Sequence, residues 1–338
     1  MAKSLNNDYN KLIKWIWKII SKNKQKVISS VNTILVETYW NIWRHIVEYE
    51  QKWEKRAKYW KQLLKNISKD LTKEFWKSFS VQNLERMRYF YSCYPDIDFK
   101  KSSSPMRKLS WTHIVRLLSV KNKDERNFYI IETIENSWSA RELDRQINSS
   151  LYERLALSKD KKWVLNLSKK GQLIQSHNDV LKDPYILEFL WLEEKTSYSE
   201  TELETAIINN LEHFLLELGK WFTFVWRQQR FSTGIDHFYI DLVFYNRLLQ
   251  CFVLIDLKIW KITHGDIWQM QMYVNYYDRE IRQDFENKTI WILLCKEKND
   301  LVVEYTLPEW ENMIFAKEYN LYLPKKEDFK RQIEKLDL

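Results

Sequence analysis

Apolar residues recur every three or four positions through the first half of the chain, then run continuously through short stretches of the second. Between Val31 and Tyr49 they fall at Ile34, Leu35, Tyr39, Ile42 and Ile46, and between Tyr59 and Phe79 at Leu63, Leu64, Ile67, Leu71 and Phe75. That spacing lines one face of a helix in each segment. Ser80 stands where an N-cap is needed for Val81 to Cys93, a run that Pro95 and Asp96 end, and Ser110 stands likewise before Trp111 to Val120. Leu143, Ile147, Leu151 and Leu155 recur at every fourth residue and predict a helix from Ser139 to Leu157. Residues 1–170 are therefore expected to form an all-α N-terminal domain, with Lys100 to Ser104, closed by Pro105, as a loop.

The pattern changes between Leu165 and Pro184, where Gly171, Asn178, Asp179 and Pro184 interrupt it. A linker is expected there, opening a second domain over 171–338. The predicted order is then a helix (Glu200 to Leu218), strands at Trp221 to Gln228, His237 to Tyr245 and Cys251 to Lys258, a helix (Asp266 to Tyr277) and a strand (Thr289 to Cys295). This αβββαβ order predicts an α/β core that begins with a meander.

Length and composition agree with that division. The chain has 338 residues, more than one core usually serves, and its 45% hydrophobic and 30% charged residues exclude wholesale disorder. A net charge of +8 is compatible with a polyanionic partner but too small to require one. The start MAKSLNNDYN has no apolar signal-peptide stretch and no apolar run is long enough to span a bilayer, so no membrane partner and a cytoplasmic location are expected. Cys93, Cys251 and Cys295 lie scattered in apolar surroundings, which argues against a disulfide framework or a zinc site and for buried thiols. The six histidines lack HExxH or paired spacing, and neither GxGxxG nor a P-loop is present.

One figure is abnormal. There are 4 Gly and 17 Trp, whereas roughly 24 Gly are usual at this length. Trp191, Trp221 and Trp260 each stand where a backbone wants glycine. The two counts together approach an ordinary glycine content with a few true tryptophans. We therefore expect UGA-glycine recoding: the gene belongs to an organism that reads UGA as glycine, and the sequence shows tryptophan there. The alternative is a truly Trp-rich chain with stacking platforms for bases; the spread from Trp15 to Trp310 speaks against it.

The candidate chemistry lies in two strands. Phe238 to Tyr245 is apolar except for Asp241, and Phe252 to Lys258 except for Asp256 and Lys258. A strand apolar on both faces is central, so these charges need partners. A hairpin symmetric about Leu248 and Leu249 sets Asp241 opposite Asp256, with Cβ atoms roughly 5 Å apart. Such a pair calls for a proton or a cation between the carboxylates, and Mg²⁺ typically takes one or two carboxylates with water and phosphate oxygens. Lys258, two residues beyond Asp256, shares its face and can stabilise charge on a phosphodiester under attack by water. Glu204 on the preceding helix is a candidate third ligand, with Glu200, Glu202 and Glu212 as competitors. A buried structural ion-pair cluster is the other reading of the three charges, but stability alone gives little reason to keep one.

The acidic helix residue, Asp241 and Asp256-Leu257-Lys258 resemble the PD-(D/E)XK nuclease signature, with Asp for the commoner Glu in the last motif. More closely, YIDLVFYNRLLQCFVLIDLK followed by QMQMYVNYYDRE resembles the YhcG-like bacterial family, as do ETYWNIWRHIVEYEQ, LTKEFWKSFSVQNLERMRYFY and WSARELDRQINSSLYERL in the helical half. The likeness covers nearly the whole chain. It implies a restriction-endonuclease-like α/β core and a metal-dependent deoxyribonuclease, with Mg²⁺, or Mn²⁺ in its place, held by Asp241, Asp256 and Glu204. Lys258 is implied as catalytic, and Gln269 and Tyr273 match a Gln-x-x-x-Tyr element beside such sites, with Gln271 as a rival to Gln269. The helical half is expected to bind DNA, a partner protein or a second copy of the chain, and the family points to restriction, phage defence or mobile elements. A non-catalytic nucleic-acid-binding module and an assembly scaffold are the alternative functions. By the same resemblance, Trp43, Trp53, Trp60, Trp76, Trp191, Trp221, Trp226, Trp260, Trp268 and Trp291 stand at glycine positions of the family, and Trp40, Trp111 and Trp138 at tryptophan positions.

Overall fold

Serine caps begin two helices of the N-terminal half where expected. Ser80 accepts from the Asn83 amide ahead of the helix Val81–Cys93, and Ser110 forms a capping box with His113 ahead of the helix Trp111–Leu117. The structure, a computed structural model, describes residues 30–47, 57–75, 79–99, 104–157, 161–192, 198–233, 236–297, 313–323 and 325–329, with residues 101 and 331. It divides into two compact units, Met1–Asp144 and Arg145–Leu338.

The first unit holds α1 (30–47), α2 (Ala57–Phe75), α3 (Val81–Cys93), α4 (Trp111–Leu117) and α5 (Lys123–Glu135). Tyr39, Trp43, Leu64, Leu84 and Met87 pack together at its centre. Ile34 and Leu35, read as part of the apolar face of α1, are exposed. The pattern gave no sign of α5, which buries Glu125, Arg126, Glu132 and Thr133 alongside Phe128, Tyr129 and Ile130, so no clean apolar stripe marks it.

The helix expected over Ser139 to Leu157 is two helices, α6 (Ala140–Asn148) and α7 (Leu151–Leu157), broken where Ser150 takes φ 54°. The side chain of Arg154 explains the break. It donates to the Ser149 carbonyl (2.9 Å) and pairs with Glu217 (2.6 Å), which also receives Arg145 (3.2 Å). These bonds tie α7 into the second unit, so the compact units part ahead of the composition shift at 165–184. Within that shift Gln172, Asp179 and Lys182 are buried. The helix α8 (Lys161–Lys170) precedes it.

Uninterrupted apolar runs have no solvent face, and the strands that carry them are central here. The strands are β1 (Tyr185–Ile186), β2 (Phe222–Thr233), β3 (Asp236–Asn246), β4 (Cys251–Lys261), β5 (Ile290–Glu297) and β6 (Ile314–Asn320). Their order is β1-β6-β5-β4-β3-β2, antiparallel from β2 to β4 and parallel elsewhere. The expected single helix before the meander is α9 (Glu200–Asn209) and α10 (Leu211–Leu218), and α11 (His264–Tyr276) crosses from β4 to β5. The αβββαβ order thus stands; β1 and β6 extend the parallel side. One face packs Leu203, Ile207 and Phe214 on Leu242, Phe244, Val253 and Ile255. The other packs Ile267, Met270 and Tyr273 of α11 on Val243, Leu254 and Leu293.

None of the three cysteines is in a disulfide; Cys251 and Cys295 are buried and Cys93 only half-buried. The tryptophans fall into two kinds. Trp40 and Trp111 are packed and donate from Nε1 to the Tyr94 carbonyl (2.8 Å) and Asn83 Oδ1 (3.1 Å), and Trp138 is also buried. Trp191 and Trp221 instead have left-handed backbone, φ 55° and 65°. Trp226, Trp260 and Trp268 are exposed, while Trp43 and Trp291 are buried with no acceptor for Nε1 among the described residues. Trp53 lies outside the described residues, as does Trp76, and the side chain of Trp60 does too.

Candidate active site

The β3–β4 hairpin has the register counted from its turn: Asn246 pairs with Cys251 and Leu242 with Ile255. The ladder stops there, one position short of Asp241 and Asp256. Side-chain alternation along β3 also slips at this point, since Ile240 packs on the α11 side and Leu242 on the opposite side. Asp241 therefore does not form the expected cross-strand pair. Its Oδ2 instead accepts from the Leu257 amide at 2.9 Å, where β3 and β4 no longer bond to each other. A carboxylate takes the place of a backbone carbonyl as the partner of a β4 amide.

Asp256 and Lys258 share a face of β4, as their spacing requires. Lys258 Nζ lies 2.9 Å from Asp256 Oδ2, 3.7 Å from Glu200 Oε2 and 4.0 Å from Asp266 Oδ1. Asp256 is 5% exposed. Burial, and after it the Asp241 charge, push its carboxyl well above the usual range against the pull of Lys258. Burial likewise raises Asp241, opposed by the Leu257 amide. Burial alone would lower Lys258, but Asp256 foremost, with Glu200 and Asp241, holds it above its ordinary value. Negative charge on these two acids is thus costly in this poorly hydrated place, and one ammonium offsets the cost only in part.

Of the four helix glutamates, Glu204 is the one beside Asp241. Its Oε2 accepts from Gln228 Nε2 (2.6 Å), whose amide also donates to Asp241 Oδ1 (3.0 Å), and its Oε1 pairs with Arg227 Nε (2.5 Å). Glu202 is engaged in the Ser199 capping box and Glu200 faces Lys258. Among the described residues no three Asp, Glu, His or Cys side chains already converge as a metal cluster. The donor chemistry nonetheless fits a hard divalent cation: Asp241 and Asp256 offer carboxylate oxygens, and the charge of Asp241 raises the proton affinity of Asp256.

Gln269 donates to the Tyr273 hydroxyl, which itself donates to the Tyr239 carbonyl at 3.1 Å. Tyr273 is fully buried and its ring stacks on Trp291 at 4.9 Å. The pair thus braces β3 just before Asp241. Arg227, Gln228 and Asp266 had not been singled out by sequence. A counting signal existed for Gln228: a β2–β3 hairpin symmetric about Gly234 and Ile235 sets it opposite Asp241, and the observed pairs Arg227–Leu242 and Gln229–Ile240 have that register. His113, by contrast, is structural, joined to Ser110 and to the Trp138 carbonyl.

The chain matches two family models, the YhcG PDDEXK nuclease domain over residues 178–334 and the DUF1016 N-terminal domain over residues 15–154. It is 36% identical to "Putative nuclease YhcG" of Escherichia coli (strain K12), over 99% of this chain and 96% of that protein. Solved structures with local likeness include a repair endonuclease from Pyrococcus abyssi (15% identity, 39% of this chain and 50% of that one, TM-score 0.26). Another is EndoMS in its apo form (20% identity, 38% and 49%, TM-score 0.27). With this near full-length identity and a restriction-endonuclease-like αβββαβ core, the chain belongs to the YhcG family, a PDDEXK nuclease domain behind a DUF1016 N-terminal domain.

Proposed function

We propose that the protein is a metal-dependent endonuclease that hydrolyses DNA phosphodiesters. The observation that carries this reading is the meeting of Asp241, Asp256 and Lys258 where β3 and β4 separate, with Lys258 Nζ 2.9 Å from Asp256. Asp241 and Asp256, joined by Glu204, would hold Mg²⁺ or Mn²⁺. Such an ion supplies Lewis-acid polarisation of the phosphoryl oxygen and a more acidic water. Asp256 fixes the Lys258 ammonium, which steadies the attacking water and the charge that grows on the phosphate oxygens. Gln269 and Tyr273 keep β3 in place. Mg²⁺-dependent nicking or cutting of plasmid DNA is the test, with loss of cleavage in Asp256→Ala and Lys258→Ala variants of unchanged circular dichroism. DNA binding without cleavage by the wild type would sink the catalytic reading and favour the binding module.

The helical half, residues 1–170, would deliver this site by binding DNA, a partner protein or a second copy, in a cytoplasmic role in restriction, phage defence or mobile-element maintenance. Among the described residues no helix is long and apolar enough to cross a membrane.

We also propose that the ten tryptophans at family glycine positions are glycine in the natural protein, encoded by UGA. The left-handed backbone at Trp191 and Trp221, and the buried indole N–H groups of Trp43 and Trp291 that have no acceptor among the described residues, support this. Glycine at 226, 260 and 268 would also remove three exposed indoles from the elements that carry the site. The mass of the protein purified from its own organism is the test; a value matching all 17 tryptophans overturns the proposal.

A further inference from the structure

Gln228 sits directly across from Asp241 on β2, between the bonded pairs Arg227–Leu242 and Gln229–Ile240, yet it joins neither ladder. Its backbone has φ 47°, a left-handed conformation that costs a non-glycine residue energy. Nothing in the core repays that cost, because the side chain is exposed. What the conformation does accomplish is to set one amide nitrogen between two carboxylates, 2.6 Å from Glu204 Oε2 and 3.0 Å from Asp241 Oδ1.

Two carboxylates held to one point repel each other, and three kinds of side chain could stand between them. An apolar group would let them spread. A lysine or arginine would hold them but cancel the negative charge. A neutral amide with two N–H donors gathers them and leaves the charge in place. We propose that Gln228 is a positioning residue for cation binding: it preassembles Glu204 and Asp241 so that their oxygens are presented together. Arg227 steadies the other oxygen of Glu204 from the same strand. The inference rests on the reading of Asp241, Asp256 and Glu204 as the cation ligands.

The test is Mn²⁺ binding to the full chain, followed by calorimetry without nucleic acid and paired with a thermal melt. Gln228→Gly relieves the left-handed backbone while removing the amide, so the expected result is a melting temperature at or above wild type with Mn²⁺ affinity lowered at least about 10-fold, as for other lost ligand-orienting groups. Gln228→Met keeps the strain and much of the side-chain length but has no donor, and the same loss of affinity is expected. A lower melting temperature with unchanged Mn²⁺ affinity would mark Gln228 as merely structural. Unchanged affinity in both variants overturns the inference alone, whereas a wild type that binds no Mn²⁺ overturns it together with the proposed metal site.

Discussion

Replacing Glu217 by glutamine should make the stability of the C-terminal unit far less dependent on pH. The Glu217 side chain is fully buried, with Oε1 accepting from Arg154 Nη1 at 2.6 Å and from the Ile186 amide at 3.0 Å, and Oε2 from Arg145 Nη2 at 3.2 Å. Burial by itself would raise its pKa, but Arg154, Lys182 and Arg145 outweigh burial and bring it from 4.5 to about 2. A depression of that size corresponds to about 3 kcal/mol of folding stability. The folded state takes up the proton less readily than the unfolded one. The contribution is therefore complete above pH 4.5 and is lost as the pH falls toward 2. At neutral pH Glu217→Gln leaves the buried Arg154 without its counter-charge, a loss of about 3–5 kcal/mol, while Arg145 keeps its pairing with Glu188 at 2.7 Å. Urea unfolding at pH steps between about 7 and 3, followed by near-ultraviolet circular dichroism, should show wild type and variant converging as acid is added. A gap that stays constant across this range, or that is below about 1 kcal/mol at neutral pH, would refute the assignment of the charge network.

The shorter predictions concern the site and the tryptophans. Lys258→Ala should lower kcat on DNA by about 10²–10³-fold, read from plasmid cleavage, because it removes a cation aimed at the developing charge. Asp241→Asn should abolish cleavage with the fold retained, as circular dichroism would show, since the amide oxygen can still accept from Leu257 while the new NH2 faces the Gln228 donor and the carboxylate charge is gone. Trp191→Gly should stabilise by about 1 kcal/mol, the left-handed cost of about 1–2 less the extra chain entropy of glycine. Trp221→Gly should be near neutral, because the Arg247 guanidinium 5.1 Å over the indole offsets about 0.5–1 kcal/mol of the gain; denaturant melts of the two variants give the comparison. Tyr273→Phe should cost about 1 kcal/mol in the same melts through its lost bond to the Tyr239 carbonyl, and reduce cleavage less than loss of Lys258.

The meander was legible because strand patterning and turn position are local properties. Counting outward from Leu248 and Leu249 gave the pairs from Asn246–Cys251 to Leu242–Ile255. Counting failed one step later, where the strands separate and Asp241 turns to the Leu257 amide. Helix periodicity was less complete. It missed α5, where buried charges sit among Phe128, Tyr129 and Ile130 and blur the apolar face, and it ran α6 and α7 together because Leu143 to Leu155 keep their spacing across Ser150.

By itself the sequence determined the αβββαβ order, the central place of β4, and Asp241, Asp256 and Lys258 as charges in apolar strands. These follow from side-chain period and chain distance, which a linear reading contains. Only the tertiary structure linked Glu204 to Asp241 through Gln228 and drew α7 toward Glu217. Those outcomes depend on which elements lie side by side across tens of residues. A left-handed backbone at Gln228 or a buried Arg154 is tolerated only because of partners that its own neighbours in the chain do not specify.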